Sequence, residues 1–208
     1  MSSKIIILDY GIGNTLSIKN AFKFLGYETI ITNKKTELLN AKAIIFPGVG
    51  AFGHGMRKLK EFGLDEQIIN IFRKGIPILG ICLGMQLFYE RSNEFGNHQG
   101  LKILNGEVIK LENKGLIKLP NIGWRRVFSS KKNLQKENSI FDKEYYFVHS
   151  FHVICKNDLY IIGKSNYYNI EINSIVQKEN LFGCQFHPEK SGKAGLNLLQ
   201  NFINIYKL

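Results

Sequence analysis

The chain is short of acid: 17 Asp and Glu face 28 Lys and Arg across 208 residues, for a formal net charge of +11. Such a surface attracts phosphate, but what would turn it into a nucleic-acid site is missing. Its basic residues are scattered, with only short pairs such as Lys34-Lys35 and Lys131-Lys132, and no aromatic-interleaved basic stripe or nucleic-acid module. A solvated lysine-rich surface, or docking to an acidic partner, is expected in place of nucleic acid. Cysteine is scarce too. Cys82, Cys155 and Cys184 are an odd set without a disulfide framework, which suits a reducing compartment. No apolar run is long enough to span a bilayer, and Met1-Ser2-Ser3-Lys4 leads directly into a strand pattern. A cytoplasmic protein without membrane contact is expected.

Two further absences remove cofactor classes. Asp9-Tyr10-Gly11-Ile12-Gly13-Asn14 follows an apolar strand as a dinucleotide fingerprint would, but Leu16 stands where the third glycine is wanted and no acidic residue closes the next strand. A nucleotide site is not expected. Cys184 and His187 are three apart on an extended segment and face opposite sides, as are His149 and His152, while His54 and His98 are isolated. No metal and no cofactor are expected.

What is present is a cysteine between two glycines, Gly80-Ile81-Cys82-Leu83-Gly84, where an apolar strand turns into a helix. This is the sulfur counterpart of the G-x-S-x-G nucleophile elbow, in which the next residue's N–H is free for an oxyanion. A thiol at a first helical turn also meets unpaired N–H groups, which favour the reactive thiolate. A buried cysteine beside packing glycines is the alternative. Near the end of the chain an apolar strand runs into Gln185-Phe186-His187-Pro188-Glu189. Proline holds His187 extended, and residues two apart in an extended segment share a side, so Glu189 would orient the imidazole. Cys82, His187 and Glu189 are thus candidates for nucleophile, base and orienter. The Pro47-Gly48-Val49-Gly50 loop would add the Val49 N–H to that of Leu83 as an oxyanion hole, an ordinary turn before a helix being the equal alternative.

Short apolar strands alternate with helical patterns in the first half: strands Lys4 to Leu8, Tyr27 to Ile31, Ala43 to Phe46 and Ile76 to Ile81, with helices over Thr15 to Leu25, within Arg57 to Lys74, and from Leu83 to about Ser92. This rhythm predicts an α/β fold with a mainly parallel central sheet flanked by helices. From about Leu101 to Val176 the pattern is strand-rich, with Lys102 to Leu111, Glu144 to Val148, Phe151 to Cys155 and Leu159 to Lys164 predicting an additional antiparallel strand layer. A closing helix is predicted from about Lys193 to Tyr206. With no repeat or linker, residues 1–208 read as one domain. Reactive groups would gather at the carboxyl ends of the strands.

The elbow with Gln185-Phe186-His187-Pro188-Glu189 resembles the class I, triad-type glutamine amidotransferases. Asp9-Tyr10-Gly11-Ile12-Gly13-Asn14, Pro47 to Phe52, Gly123-Trp124 and Tyr146 to Ser150 are similar to the glutaminase subunits of imidazole glycerol phosphate synthase. The resemblance implies that Cys82 attacks the side-chain amide of glutamine, with Val49 and Leu83 as oxyanion donors. It also implies a glutamine pocket of Gly50, Gln86, His149, Ser150 and Phe151, and ammonia passed to a barrel-shaped cyclase subunit in a heterodimer. Trp124, Tyr146 and Lys190 match interface positions, a core anchor being the alternative for Trp124. Where that family usually shows Pro-His-Met-Gly-Trp-Asn, this chain has Pro120-Asn121-Ile122-Gly123-Trp124-Arg125, followed by Arg126, and Phe151 replaces a common tyrosine. These departures are expected to face the partner, leaving open a subunit that feeds ammonia to a sugar amidotransferase. A cysteine peptidase, a gamma-glutamyl hydrolase and a non-catalytic binding module complete the alternatives.

Overall fold

The computed structural model describes residues 4–112, 117–130 and 140–208. Met1 to Ser3 and the Lys131-Lys132 pair lie outside the described residues. Strands Thr29–Thr32, Ile5–Leu8, Ala43–Phe46, Ile78–Ile81 and Leu181–Cys184 lie side by side in that order, all parallel. All but the first are buried along their whole length, as strands covered on both faces must be. Successive side chains point to opposite faces. Ile5, Ile7 and Ile45 therefore pack with Phe22 of the helix Thr15–Phe24 and Leu198 and Phe202 of the helix Gly192–Tyr206. Ile6, Leu8 and Ile44 pack with Met56 and Leu59 of Phe52–Glu61 and Ile68 of Asp65–Arg73 on the other side.

Beyond Leu181–Cys184 the same sheet continues antiparallel through Ile170–Lys178, Ile161–Tyr167, Asn121–Ser129 and Lys143–His149, making nine strands. Of the four strands expected in this region, those at Glu144 and Leu159 fall in this extension of the central sheet. The remainder forms a four-stranded sheet in which Phe151–Cys155 pairs with Gly106–Lys110, and that strand with Arg91–Ser92 and His98–Gln99. Among the boundaries that differ from expectation, two have a clear local cause. The helix after Cys82 covers only Leu83–Gln86, because the chain turns through Leu87 to Glu90 and enters the second sheet at Arg91. The strand expected from Lys102 begins at Gly106, whose φ of +136 and contact with the Ile154 carbonyl admit no side chain.

Candidate active site

Cys184 is level with Ile81 across two neighbouring parallel strands, so Cys82 and Gln185 leave the sheet together at its carboxyl edge. The Cys82 N–H donates to the Cys184 carbonyl at 2.7 Å. Cys82 then takes φ 53 and ψ −110, a conformation costing a non-glycine residue on the order of 1–3 kcal/mol. The strain sits on the cysteine itself. Its flanking glycines serve close packing instead: a Cβ on Gly84 would fall on the Phe46 carbonyl oxygen, and one on Gly80 on the Phe88 ring.

His187 is extended, at φ −102 and ψ 95, as its proline neighbour requires. Pro188–Lys190 forms a 3-10 turn where an extended pair was expected, and this turn swings Glu189 Oε1 to 2.8 Å from His187 Nδ1. Both side chains are almost wholly buried. Because a carboxylate accepts, Nδ1 carries the proton and Nε2 faces the cavity shared with Cys82. Burial disfavours the imidazolium, but the Cys82 sulfur and then the Glu189 carboxylate outweigh it and raise the His187 pKa to about 10. The sulfur is close enough to act on the ring, although Nε2 completes no hydrogen bond of ordinary geometry. Ser191 pins the turn: its Oγ donates to the His187 carbonyl at 2.6 Å and accepts from Tyr146 N–H at 2.9 Å, while the His187 N–H donates to the Tyr146 carbonyl at 2.9 Å.

Cys82 and His187 open into a cavity of about 280 Å³ that is also lined by Val49, Gly50, Leu83, Gln86, Glu94, Val148, His149, Ser150 and Phe151. Every residue expected in the oxyanion and glutamine-pocket roles is among them. Glu189 stands behind His187. The Val49 and Leu83 N–H groups donate to no other group among the described residues. Gly50 has φ +92, whereas Gly48 is glycine because a Cβ would meet Tyr10 Oη at 2.7 Å and Leu83 Cβ at 2.8 Å. Tyr10, wholly buried, donates from its hydroxyl to the Pro47 carbonyl at 2.7 Å. The glycine-rich loop after the first strand is therefore a buttress for the Val49 loop.

Sequence reasoning missed Glu94 and Val148. Glu94 Oε2 accepts from the Phe52 N–H at 2.7 Å, and burial raises its carboxyl above the usual range despite that donor. It sits between the short strands Arg91–Ser92 and His98–Gln99, inside the span expected to follow a longer helix, with no motif around it. His149 is held in one tautomer. Its Nδ1 donates to the Phe151 carbonyl at 2.9 Å and its Nε2 accepts from Asn121 Nδ2 at 3.0 Å, while burial lowers its pKa to about 3.

Asn121 was expected to face a partner and does not: it is fully buried behind His149. Strand alternation turns its neighbours Ile122 and Trp124 differently, and Trp124 is 48% exposed, which rules out the core-anchor role. Trp124 lies opposite Tyr146 with ring centroids 6.1 Å apart, and Lys190 Nζ is 6.0 Å from the Tyr146 ring. The three expected interface residues thus form one surface group. Arg125 donates to the Trp124 carbonyl at 2.7 Å and lies 4.9 Å from the Tyr167 ring, and Arg126 pairs with Asp142 at 3.3 Å.

Solved structures share this fold. One described as a glutamine amidotransferase superposes with a TM-score of 0.75 at 16% identity, covering 98% of this chain and 99% of its own. The structure of PurLQS from Thermotoga maritima gives 0.72 at 17% identity, covering 99% of each. Sequence relatives are nearer. Imidazole glycerol phosphate synthase subunit HisH of Lactococcus lactis is 44% identical over 96% of this chain and 98% of its own length. The HisH 2 subunit of Methanococcus maripaludis is also 44% identical, over the same shares of both chains. The family model "Glutamine amidotransferase class-I" matches residues 6–205, and with relatives of this identity along its length the chain belongs to the class I glutamine amidotransferases.

Proposed function

We propose that the chain is the glutaminase subunit of an imidazole glycerol phosphate synthase, with Cys82 as nucleophile, His187 as acid and base, and Glu189 as the group that orients His187. Cys82 Sγ passes its proton to His187 Nε2 and adds to the side-chain carbonyl carbon of glutamine, and the Leu83 and Val49 N–H groups receive the developing oxyanion. His187 Nε2 gives its proton to the departing nitrogen, releasing ammonia and leaving a glutamyl thioester. It then takes a proton from water, whose oxygen attacks the thioester, and the sulfur leaves as glutamate forms. Glu94, the carboxylate lining the cavity, supplies the counter-charge for the α-ammonium of glutamine. Gln86 has both Nε2 hydrogens engaged, by the Phe151 carbonyl and Gln185 Oε1, so toward the substrate it offers only its oxygen as an acceptor.

The observation that carries this reading is the strained Cys82 facing the same cavity as the Nε2 of a His187 whose Nδ1 is held by Glu189. The partner is a cyclase subunit docked on Trp124, Tyr146 and Lys190, which takes up the ammonia in histidine biosynthesis. The sugar-amidotransferase reading is not favoured: the relatives at 44% identity are imidazole glycerol phosphate synthase subunits, and Asn121, one of the departures that raised it, contacts His149 and not a partner. Three free cysteines suit the cytoplasm. In the complex with the cyclase subunit, Cys82→Ala is expected to abolish glutamine-dependent synthesis while added ammonium salt still supports it. Glutaminase activity retained by Cys82→Ala overturns the assignment.

A further inference from the structure

A buried polar chain runs from the Asn121–Ser129 strand to the nucleophile, and its direction is fixed at one backbone atom. The Phe151 carbonyl can only accept. It takes His149 Nδ1–H at 2.9 Å and Gln86 Nε2–H at 2.9 Å, which occupies both lone pairs. His149 must then accept at Nε2, and Asn121 Nδ2 supplies that donor. The second hydrogen of Gln86 Nε2 goes to Gln185 Oε1 at 3.1 Å, which leaves Gln185 Nε2 directed at Cys82 Sγ, 3.6 Å away. Turning the Gln185 amide over would set donor against donor at Gln86 and remove the donor from the sulfur. Gln185 is wholly buried and does not line the substrate cavity, so neither water nor glutamine competes for its amide.

We propose that Gln185 is a further residue of this site, a hydrogen-bond donor held on the Cys82 sulfur by the chain Gln86, Phe151 carbonyl, His149 and Asn121. The proposal rests on Cys82 being the nucleophile. A donor aimed at sulfur favours the anion over the thiol and keeps the reactive lone pair from wandering. The chain also gives Asn121 a role: only a group that donates at this position lets His149 keep its Nδ1 proton on the Phe151 carbonyl.

The test is the pH dependence of alkylation of the full chain by iodoacetamide, read at Cys82 by peptide mass mapping so that Cys155 and Cys184 are counted apart. In Gln185→Leu the midpoint of Cys82 labelling is expected to rise by about one pH unit, with labelling below the midpoint about tenfold slower. Gln185→Glu, which keeps the size but turns an acceptor toward the sulfur, is expected to shift it further in the same direction, and it decides the matter if Gln185→Leu does not fold. In the complex with the cyclase subunit, kcat for glutamine should fall in step while KM holds. An unchanged midpoint in a folded variant, with only a lowered melting temperature, overturns the proposal. Should Cys82 of the natural chain label no faster than Cys155 and Cys184, it is the nucleophile assignment that fails, a distinct result.

Discussion

Glu189 keeps a carboxylate in a place with almost no water, and its counterpart is the imidazolium of His187. Because the folded protein raises the His187 pKa from 6.5 to about 10, the protonated ring stabilises the fold fully below about pH 6.5 and that contribution is lost as pH climbs toward 10. Glu189→Gln removes the carboxylate that, alongside the Cys82 sulfur, sustains the shift. Its loss of melting temperature between about pH 6 and about pH 9 is expected to be smaller than that of the natural chain, and its glutaminase kcat at least about a hundredfold lower. The same loss between the two pH values in Glu189→Gln and in the natural chain would show that Glu189 does not hold the proton on His187. The grouping of Cys82, His187 and Glu189, the proposed triad, was legible because each sits in a short local pattern, glycine-flanked for Cys82 and proline-bounded for His187 and Glu189. Glu94 was not, since only the fold of a loop brings it to the cavity.

The elements at the site meet through contacts with no room to spare. Gly84 brings the short helix Leu83–Gln86 against the end of the Ala43–Phe46 strand, and with it the Leu83 N–H into the neighbourhood of the Val49 loop. Gly84→Ala is expected to cost about 1–3 kcal/mol by overpacking, and to lower glutaminase kcat by about a hundredfold by displacing the proposed oxyanion donor. Thermal melts and steady-state assays measure both, and a variant of natural stability and activity would show that the elbow has slack. The buried parallel strands were readable as apolar runs bounded by turns. Asn121–Ser129 was not, because its Trp124, Arg125 and Arg126 lie on a half-exposed strand whose apolar members do not alternate cleanly with polar ones. The overlong helix after Cys82 has a similar cause: Leu83, Met85, Leu87, Phe88 and Tyr89 are buried all round, so apolar content there does not mark where the helix stops.

Across the whole molecule, His187, the proposed base, is hydrogen-bonded to the Lys143–His149 strand at Tyr146, a residue of the expected partner face. The Tyr146 carbonyl accepts the His187 N–H, its N–H is tied to Ser191, and its ring lies between Trp124 and Lys190 on the surface. On the other side of the cavity Val49 is 43% exposed and followed by Gly50 at φ +92, so the donor expected from this loop lies on its least enclosed part. A partner seated on Trp124, Tyr146 and Lys190 therefore reaches the His187 turn directly, and an oxyanion donor that is aimed only in the complex would keep the lone subunit from wasting glutamine. Losing one such donor lowers turnover by about a hundredfold to a thousandfold, and a partner needs to favour the aimed loop by only a few kcal/mol to restore it. The isolated chain is accordingly expected to be a poor glutaminase, stimulated by about that factor when the cyclase subunit and its acceptor are present. Trp124→Ala should blunt the stimulation while leaving the resting rate alone. Steady-state glutaminase assays of the chain alone, with the cyclase subunit, and with the acceptor added decide it: an isolated chain as fast as the loaded complex means that the oxyanion site is complete without a partner.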